Sequence, residues 1–297
     1  MKQDVWLERK AVKGSKCPFT EPTFPKFVSR QFKQFARDSW NLVSGCVRFQ
    51  ILSDLHLEVG PQYDTYRIPT HAPYLILAGD IGRLVDYEGY LTFLTHHVDQ
   101  FQLIFLVLGN HEFYGLTLKD GLERAQKLER EKTLSNKVIL LHRRRHDIPQ
   151  LGVIVLGCTL WSAVPKEAEE IVTAKINDFK RIVEWDVPNH NVVHQLDLEW
   201  LSAQVNIARE QTRNHEPRRI IVVTHYAPCI EGTSDPEHTT SDCSSAFATD
   251  LLHNDCWGGV NIWVFGHTHY STTFVRNGIR VVANQRGYVL DRGKRLR

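Results

Sequence analysis

Between residues 47 and 283, short apolar runs alternate with stretches in which apolar residues recur at helical spacing. Eight runs rich in Val, Ile and Leu have the length and composition of buried strands. The predicted strands are Val47–Leu52, Tyr74–Ala78, Leu103–Leu108, Val138–Leu141, Val153–Cys158, Ile220–Thr224, Ile262–Phe265 and Ile279–Ala283. Helical spacing predicts helices over about 87–99, 117–133, 166–175 and 190–210. Strands that alternate with helices indicate an α/β fold.

Five of the predicted strands are followed by side chains that can bind metal ions. In chain order these are Asp54 and His56, Asp80, Asn110 and His111, His225, and His267 and His269. In open α/β sheets, ligands gather at the carboxyl ends of the strands. Where the backbone stays extended, residues two apart point to the same side of a strand. Asp54 with His56, and His267 with His269, can therefore each converge on one point if the backbone there is extended.

This set of side chains predicts a centre of two metal ions. Histidine nitrogens combined with carboxylate and amide oxygens, without thiolate, favour Mn, Fe, Zn, Co or Ni over Ca or Mg. Without His111 the set has seven ligands, which are too many for one ion, whereas two ions about 3.5–4 Å apart that share a carboxylate would use them all. A single histidine after a strand is more often structural. Its coincidence at five strand ends favours a metal centre.

Composition narrows the class of protein further. Among 297 residues, 42% are hydrophobic and 24% charged, as in ordinary globular proteins. The formal net charge of +2 is too small to indicate a nucleic-acid polymer or a membrane as partner. No apolar run approaches the roughly 18 residues of a membrane span. Six scattered cysteines predict free thiols in a reducing compartment, so we expect a cytoplasmic protein.

The first 45 residues differ from the rest of the chain. They carry nine Lys and Arg residues against four Asp and Glu residues, and Pro18, Pro22 and Pro25 interrupt them. We interpret residues 1–45 as an N-terminal arm packed on a catalytic domain of residues 46–297. A mitochondrial presequence is the alternative, against which the acidic residues and the scarcity of serine count.

The strand-end motifs resemble, in order, the motif series of the calcineurin-like metallophosphoesterases. They are Asp54-x-His56, Gly79-Asp80, Gly109-Asn110-His111-Glu112, His225 and Gly266-His267-x-His269. Further stretches are similar to a small phosphodiesterase-type branch of that family. These are residues 53–58, 159–161, 177–179, 225–228, 245–251 and 284–288. The resemblance covers about residues 47–290. It implies a four-layer α/β fold, in which two mixed β-sheets pack face to face and are flanked by helices.

Carried over by position, the resemblance also implies how the ligands divide between the ions. One ion would lie on Asp54, His56, Asp80 and His269, and the second on Asp80, Asn110, His225 and His267. Asp80 would bridge them, and a metal-bridging hydroxide would attack phosphorus. His111 is outside both sets, so we expect it to protonate the leaving group or stabilise its charge. A structural His111 is the alternative, and Glu112 either orients His111 or caps the following helix.

Two further residues are candidates for substrate binding. Arg83 follows Asp80 by three residues, and it either contacts phosphate or is a solvent-exposed arginine. His238 lies in the polar stretch 231–245, which is either a lid or a solvated loop. The basic run from His142 to His146 is expected to be a solvated loop rather than a nucleic-acid patch.

The motifs depart from those of the phosphoprotein phosphatases, which carry Gly-Asp-x-x-Asp-Arg-Gly and His-Gly-Gly. This chain has Gly-Asp-Ile-Gly-Arg at residues 79–83 and His-Tyr-Ala at residues 225–227. Both departures argue against protein substrates, and the chain lacks the second aspartate that would orient His111. The motif regions also offer few cations, namely Arg83 and Arg286. Few cations favour diesters, because a diester carries less negative charge than a monoester.

The leading hypothesis is a phosphodiesterase for small phosphodiesters such as cyclic nucleotides, with monoesterase activity at the same site. A phosphomonoesterase or phosphoprotein phosphatase is the first alternative. A nuclease is less favoured because the charge is nearly balanced. A non-catalytic scaffold is less favoured because every expected ligand is present. The sequence leaves the metal and the oligomeric state open.

Overall fold

A computed structural model describes residues 5–7, 47–214, 218–238 and 241–289 of the chain. Its strands are β1 (Val5–Leu7), β2 (Val47–Leu52), β3 (Tyr74–Ala78), β4 (Leu103–Val107), β5 (Val138–Leu140), β6 (Arg144–Ile148), β7 (Val153–Cys158), β8 (Arg219–Thr224), β9 (Val260–Val264), β10 (Thr272–Arg276) and β11 (Ile279–Ala283). Its α-helices are α1 (Tyr87–Val98), α2 (Leu118–Glu129), α3 (Glu169–Lys175), α4 (Asp178–Arg181) and α5 (Val187–Asn214). Apart from the segment of β1, the predicted arm of residues 1–45 lies outside the described residues.

The strands form two mixed sheets. The first has the order β1-β2-β3-β4-β5, in which β2 to β5 are parallel and β1 pairs antiparallel with β2. The second has the order β10-β11-β9-β8-β7-β6, with a parallel centre and an antiparallel strand at each edge. Two mixed sheets with flanking helices confirm the predicted fold class.

Alternation of side chains along the central strands explains why the layers stack. In β3, Ile76 belongs to a buried apolar cluster that includes Val223 of β8 and draws residues from both sheets. Its neighbours Leu75 and Leu77 point the other way, into a second apolar cluster that includes Tyr90 of α1. All five side chains are buried, and burial stabilises each apolar one by about 1.5–3 kcal/mol. Apolar residues on both faces therefore place the first sheet between helices and the second sheet.

The prediction of a solvated loop over residues 142–146 is wrong for its C-terminal part. Arg144–Ile148 forms edge strand β6, antiparallel to β7. An edge strand has one solvated side, so charged side chains are tolerated there. Arg145 pairs with Asp147, which also binds Arg218, while Ile148 is buried. The segment lacks the apolar run by which the other strands were recognised.

Strand β10 and helix α4 were also not predicted from the sequence. Strand β10 joins β11 through Asn277 and Gly278, which both have positive φ. An Asn-Gly pair between strands is the usual signal of a two-residue hairpin, so this strand was recognisable. The one-turn helix α4 is too short to show a periodic pattern. None of the helices in the described ranges is long and apolar enough to cross a membrane.

The polar stretch 231–245 contains short helical turns at Pro236–His238 and Ser244–Ala246. Residues 239 and 240 lie outside the described residues. A lid formed by this stretch stays a prediction.

Candidate metal centre

The predicted ligands lie at strand ends that turn through left-handed backbone conformations. Positive φ angles occur at Asp54 (54°), His56 (47°), Asp80 (55°), His267 (72°) and His269 (53°). Each non-glycine residue in such a conformation costs of order 1–3 kcal/mol, and such residues cluster at functional sites. The expected reason for convergence, an extended backbone, is therefore wrong. Tight left-handed turns direct these side chains.

Two glycines allow the strand ends to approach one another. A Cβ atom on Gly79 would lie 2.3 Å from Nδ1 of His225, and one on Gly109 would lie 2.2 Å from Oδ1 of Asp80. Neither position tolerates a side chain. Gly79 also has φ of 88°, which favours glycine. These glycines let β3, β4 and β8 bring their terminal residues together.

The outer group of potential ligands consists of Asp54, His56 and His269. One ligand atom from each lies within 4.8 Å of the others. His56 Nε2 is 2.8 Å from His269 Nε2, and His269 Nε2 is 3.6 Å from Asp54 Oδ1. Asp54 and His56 are buried, whereas 30% of the His269 side chain is exposed. Solvent therefore reaches this group through His269.

The inner group consists of Asp80, His225 and His267, which are all buried and also lie within 4.8 Å of one another. His225 Nε2 is 3.4 Å from Asp80 Oδ1. The other oxygen, Asp80 Oδ2, is 3.9 Å from Nε2 of His56 in the outer group. Asp80 thus lies between the two groups. His267 and His269 belong to different groups and do not converge on one point, which agrees with the division that the resemblance implies.

Donor chemistry shows that the inner group fits a cation. His225 Nδ1 lies 2.8 Å from the Ala78 carbonyl oxygen and donates its proton to it. Its Nε2 then faces Asn110 Oδ1 at 3.1 Å, which brings two acceptors together. Such a contact favours a positive charge between the atoms, either a proton or a metal ion. Nε2 of His267 is buried without a hydrogen-bond partner among the described residues. A metal ion would satisfy both observations.

Asp178 fixes the orientation of the Asn110 amide. Its carboxylate accepts from Asn110 Nδ2 at 2.7 Å, Tyr114 OH at 2.7 Å and Tyr226 OH at 3.0 Å. Burial raises the pKa of the Asp178 carboxyl, and these three hydrogen-bond donors oppose that rise. The amide nitrogen therefore faces Asp178, and the oxygen faces His225 and is presented as a ligand.

His111 lies beside both groups but is held by another carboxylate. Its Nδ1 is 2.7 Å from Glu58 Oε1, and its Nε2 is 4.0 Å from Asp80 Oδ2. The hydroxyl of Tyr288 is 3.1 Å from the same Nε2. The backbone N–H of His111 donates to Asp80 Oδ1 at 2.9 Å. The ring is thus fixed at both nitrogens and at the backbone.

Glu112 neither orients His111 nor caps a helix. Its buried carboxylate accepts backbone N–H groups of Gly109 at 2.7 Å, Asp80 at 2.9 Å and Ile81 at 2.8 Å. It therefore holds the turns after β3 and β4 together. Burial raises the pKa of Glu112 to about 7, with the charge of Asp80 as a second cause.

The charges around Asp80 support this view of the centre. Burial opposes ionisation of Asp80, but His225 and His111 together hold its pKa well below the usual value. Burial likewise opposes a charge on His225, yet Asp80 raises its pKa to about 9. Burial lowers the pKa of His267, which leaves it neutral with a free lone pair. The ionised Asp80 carboxylate beside the neutral His267 is suited to a divalent cation, which would take the place of the proton on His225.

The two candidates for substrate binding are not brought into these groups. Arg83 forks onto Asp86, with Nε 3.0 Å from Oδ2 and Nη2 3.1 Å from Oδ1. The backbone of His238 lies in the turn Pro236–His238, and its side chain lies outside the described residues. Substrate contacts by either residue stay predictions.

Sequence reasoning assigned no role to Glu58, Asp178 or Tyr288, which hold or flank Asn110 and His111. Each lies in a stretch on which the family resemblance rests. That was the available signal, because a partner 53 or 68 residues away leaves no periodic pattern.

Comparison with known proteins supports this assignment of fold and family. The family model described as calcineurin-like phosphoesterase matches residues 47–271. An uncharacterised protein of Acanthamoeba polyphaga mimivirus is 27% identical over 265 residues, which cover 81% of this chain and 91% of that protein. A solved structure of a phosphopantetheinyl hydrolase from Mycobacterium tuberculosis is similar over 81% of this chain and 89% of that chain, with a TM-score of 0.55 and 17% identity. At that identity the likeness shows the shared fold alone.

Proposed function

The chain belongs to the calcineurin-like phosphoesterase family, and from that premise we propose a phosphoester hydrolase that depends on two metal ions and prefers small phosphodiesters, cyclic nucleotides among them. The observation that carries the proposal is the convergence of two groups of ligands on Asp80. The outer group would hold one ion and the inner group, with Asn110 Oδ1, the second. Bound ions of this kind polarise phosphoryl oxygens and lower the pKa of water.

His111 supplies the proton for the leaving group in this proposal. As a water oxygen bonds to phosphorus, the bond from phosphorus to the leaving oxygen breaks, and its electron pair goes to that oxygen. The oxygen takes the proton from His111 Nε2, so the alcohol leaves neutral. The imidazole keeps the proton on Nδ1 and donates it in a hydrogen bond to Glu58. The proton released by the attacking water then restores the imidazolium through solvent.

The preference for diesters rests on the cations near the centre. Arg83 is paired with Asp86, and Arg286 donates to the Leu55 carbonyl at 2.9 Å and to Gln62 at 2.7 Å. Both arginines are thus engaged away from the ligand groups. The Glu58 carboxylate beside His111 adds negative charge. The positive charge near the centre would therefore offset a smaller share of the charge of a monoester dianion than of a diester monoanion.

A substrate panel tests both levels of the proposal. The metal-free protein is reconstituted with Mn, Fe, Zn or Ni, and rates are measured on bis(para-nitrophenyl) phosphate and para-nitrophenyl phosphate. We expect metal-dependent hydrolysis with faster turnover of the diester. Faster monoester turnover would overturn the diester preference, and inactivity with every metal would overturn the hydrolase itself.

Two broader predictions accompany the proposal. We keep residues 46–297 as the catalytic domain, with residues 1–45 as an arm, and we keep the cytoplasm as the compartment. A small phosphoester remains the only class of partner that we propose.

A further inference from the structure

We infer that Glu58 is the positioning residue of His111 and that it turns Nε2 of this histidine toward the leaving oxygen. The inference rests on the proposed function, in which His111 serves as the acid. The motif Gly79-Asp80-Ile81-Gly82-Arg83 lacks the second aspartate that would orient His111, and Glu58 takes over that role. The carboxylate comes from the turn after β2 instead.

The contact between Glu58 and His111 is short and sheltered. Glu58 Oε1 lies 2.7 Å from His111 Nδ1, and the two side chains are 8% and 10% exposed. A carboxylate accepts only, so the proton of the bond belongs to Nδ1. The hydrogen bond at one ring nitrogen of a histidine decides the role of the other nitrogen. Nε2 is therefore the nitrogen left for chemistry.

The surroundings of Nε2 show where a leaving oxygen would lie. The hydroxyl of Tyr288 is 3.1 Å from Nε2, and 48% of Tyr288 is exposed. Its ring also packs on His56, with 4.3 Å between the ring centroids. The phenolic oxygen thus occupies, at the open side of the centre, a hydrogen-bonding position suitable for an alcohol or phenol oxygen of a substrate. Because Tyr288 is half exposed, its side chain can move aside and let the substrate oxygen take this position.

A competing role for Glu58 would be support of His56 as a metal ligand. Oε1 is 3.4 Å from His56 Nδ1, which is 0.7 Å farther than from His111 Nδ1. The shorter contact identifies His111 as the main partner. The two roles differ in a measurable way. Support of the ligand would affect metal content and every substrate alike, whereas positioning of the acid matters most when the leaving group is poor.

The test compares methyl phosphodiesters that carry para-nitrophenyl, phenyl or ethyl leaving groups. The variants are Glu58→Gln, Glu58→Ala, His111→Ala and the double variant Glu58→Gln/His111→Ala. The matched control is Glu123→Gln, because Glu123 is an exposed glutamate of α2 with 64% of its side chain accessible. For each protein, metal content, melting temperature, kcat and KM are measured after reconstitution with Mn.

We expect His111→Ala to lower kcat by about 10²–10⁴-fold on the phenyl and ethyl diesters, and much less on the para-nitrophenyl diester. Glu58→Gln should lower kcat in the same order of substrates, by about 10-fold or more on the ethyl diester, with metal content and KM unchanged. Glu58→Ala should lose more, because no acceptor remains. In the double variant the Glu58 change should add nothing to the loss from His111→Ala, since residues that act as a unit are non-additive.

Each other result overturns a defined claim. Equal losses on all three leaving groups, or a further loss in the double variant, would mean that Glu58 acts elsewhere and would overturn the inference. If Glu58→Gln had normal rates while His111→Ala was impaired, the inference would be overturned but the proposed function would stand. A His111→Ala protein with normal rates on every substrate would overturn the acid role of His111 and this inference with it.

Discussion

Asn110 and His111 are neighbours in the chain, yet their side chains lie in two regions of different construction. The Asn110 side is closed, since Asp178 is buried and its carboxylate is saturated by the amide and by two tyrosine hydroxyls. The His111 side is more open, since Tyr288, whose hydroxyl contacts Nε2 of His111, is half exposed.

The difference follows from what each side chain is proposed to do. A ligand oxygen must stay in one place, and a saturated buried network fixes it because any rotation would leave polar groups unpaired. An acid must meet solvent and substrate between turnovers, so its surroundings must open. One buried carboxylate serves each role, and each comes from a different element of the fold.

The largest expected effect comes from Asp80, which belongs to both regions. Asp80→Asn removes the charge next to His225 and His56. We expect the protein to lose most of its bound metal. Loss of a residue that only supports a ligand costs roughly 10–100-fold in activity, and the loss from Asp80→Asn should be larger. Metal analysis after gel filtration, with rates on the diester, measures both.

Asp64→Asn is the control for this change, because 79% of the Asp64 side chain is exposed. It should keep full metal content and activity. If Asp80→Asn retained both metals, the bridging position that we assign to Asp80 would be wrong.

A smaller effect is expected from Asp178→Asn, which acts on the closed region alone. The new amide no longer dictates which end of Asn110 faces His225, so metal affinity should fall by about 10–100-fold. Excess metal should restore much of the rate, and the loss should be the same for good and poor leaving groups. Titration with metal under both conditions measures this, with Asp99→Asn as the control, since 88% of the Asp99 side chain is exposed. A loss confined to poor leaving groups would erase the contrast between the two regions.

The smallest effect concerns His190, which packs against the closed region, 5.8 Å from the ring of Tyr226 between centroids. Burial lowers the pKa of His190 to about 3. Below the usual histidine value of about 6.5, the unfolded chain therefore binds a proton that the folded chain refuses, and stability falls toward lower pH by up to about 1.4 kcal/mol per pH unit. His190→Gln keeps an acceptor for the Ser162 N–H and should flatten this slope, with unchanged activity at neutral pH.

Urea unfolding of the metal-free protein at several pH values between about 3 and 6.5 measures the slope without a contribution from metal release. An identical slope in wild type and variant would show that His190 is protonated in the folded state.

Much of the fold was predictable because its signals are local. Buried parallel strands are continuous apolar runs, so β3 and β7 were located at their observed bounds. Strand β6 was missed because an edge strand needs no such run. The potential ligands were recognisable for the same local reason, since each follows a strand end within a few residues.

The sequence by itself determined which side chains reach the carboxyl edge of the sheets, because strand order and strand ends are written in short stretches of chain. The motif resemblance implied how they divide between two ions, but only the tertiary structure shows which contacts produce that division. His267 and His269 fall in different groups although they lie only two residues apart. Asn110 and His111 receive separate carboxylates from residues 68 and 53 positions away. Hydrogen bonds between residues so far apart depend on how the turns pack, and no periodicity along the chain records that packing.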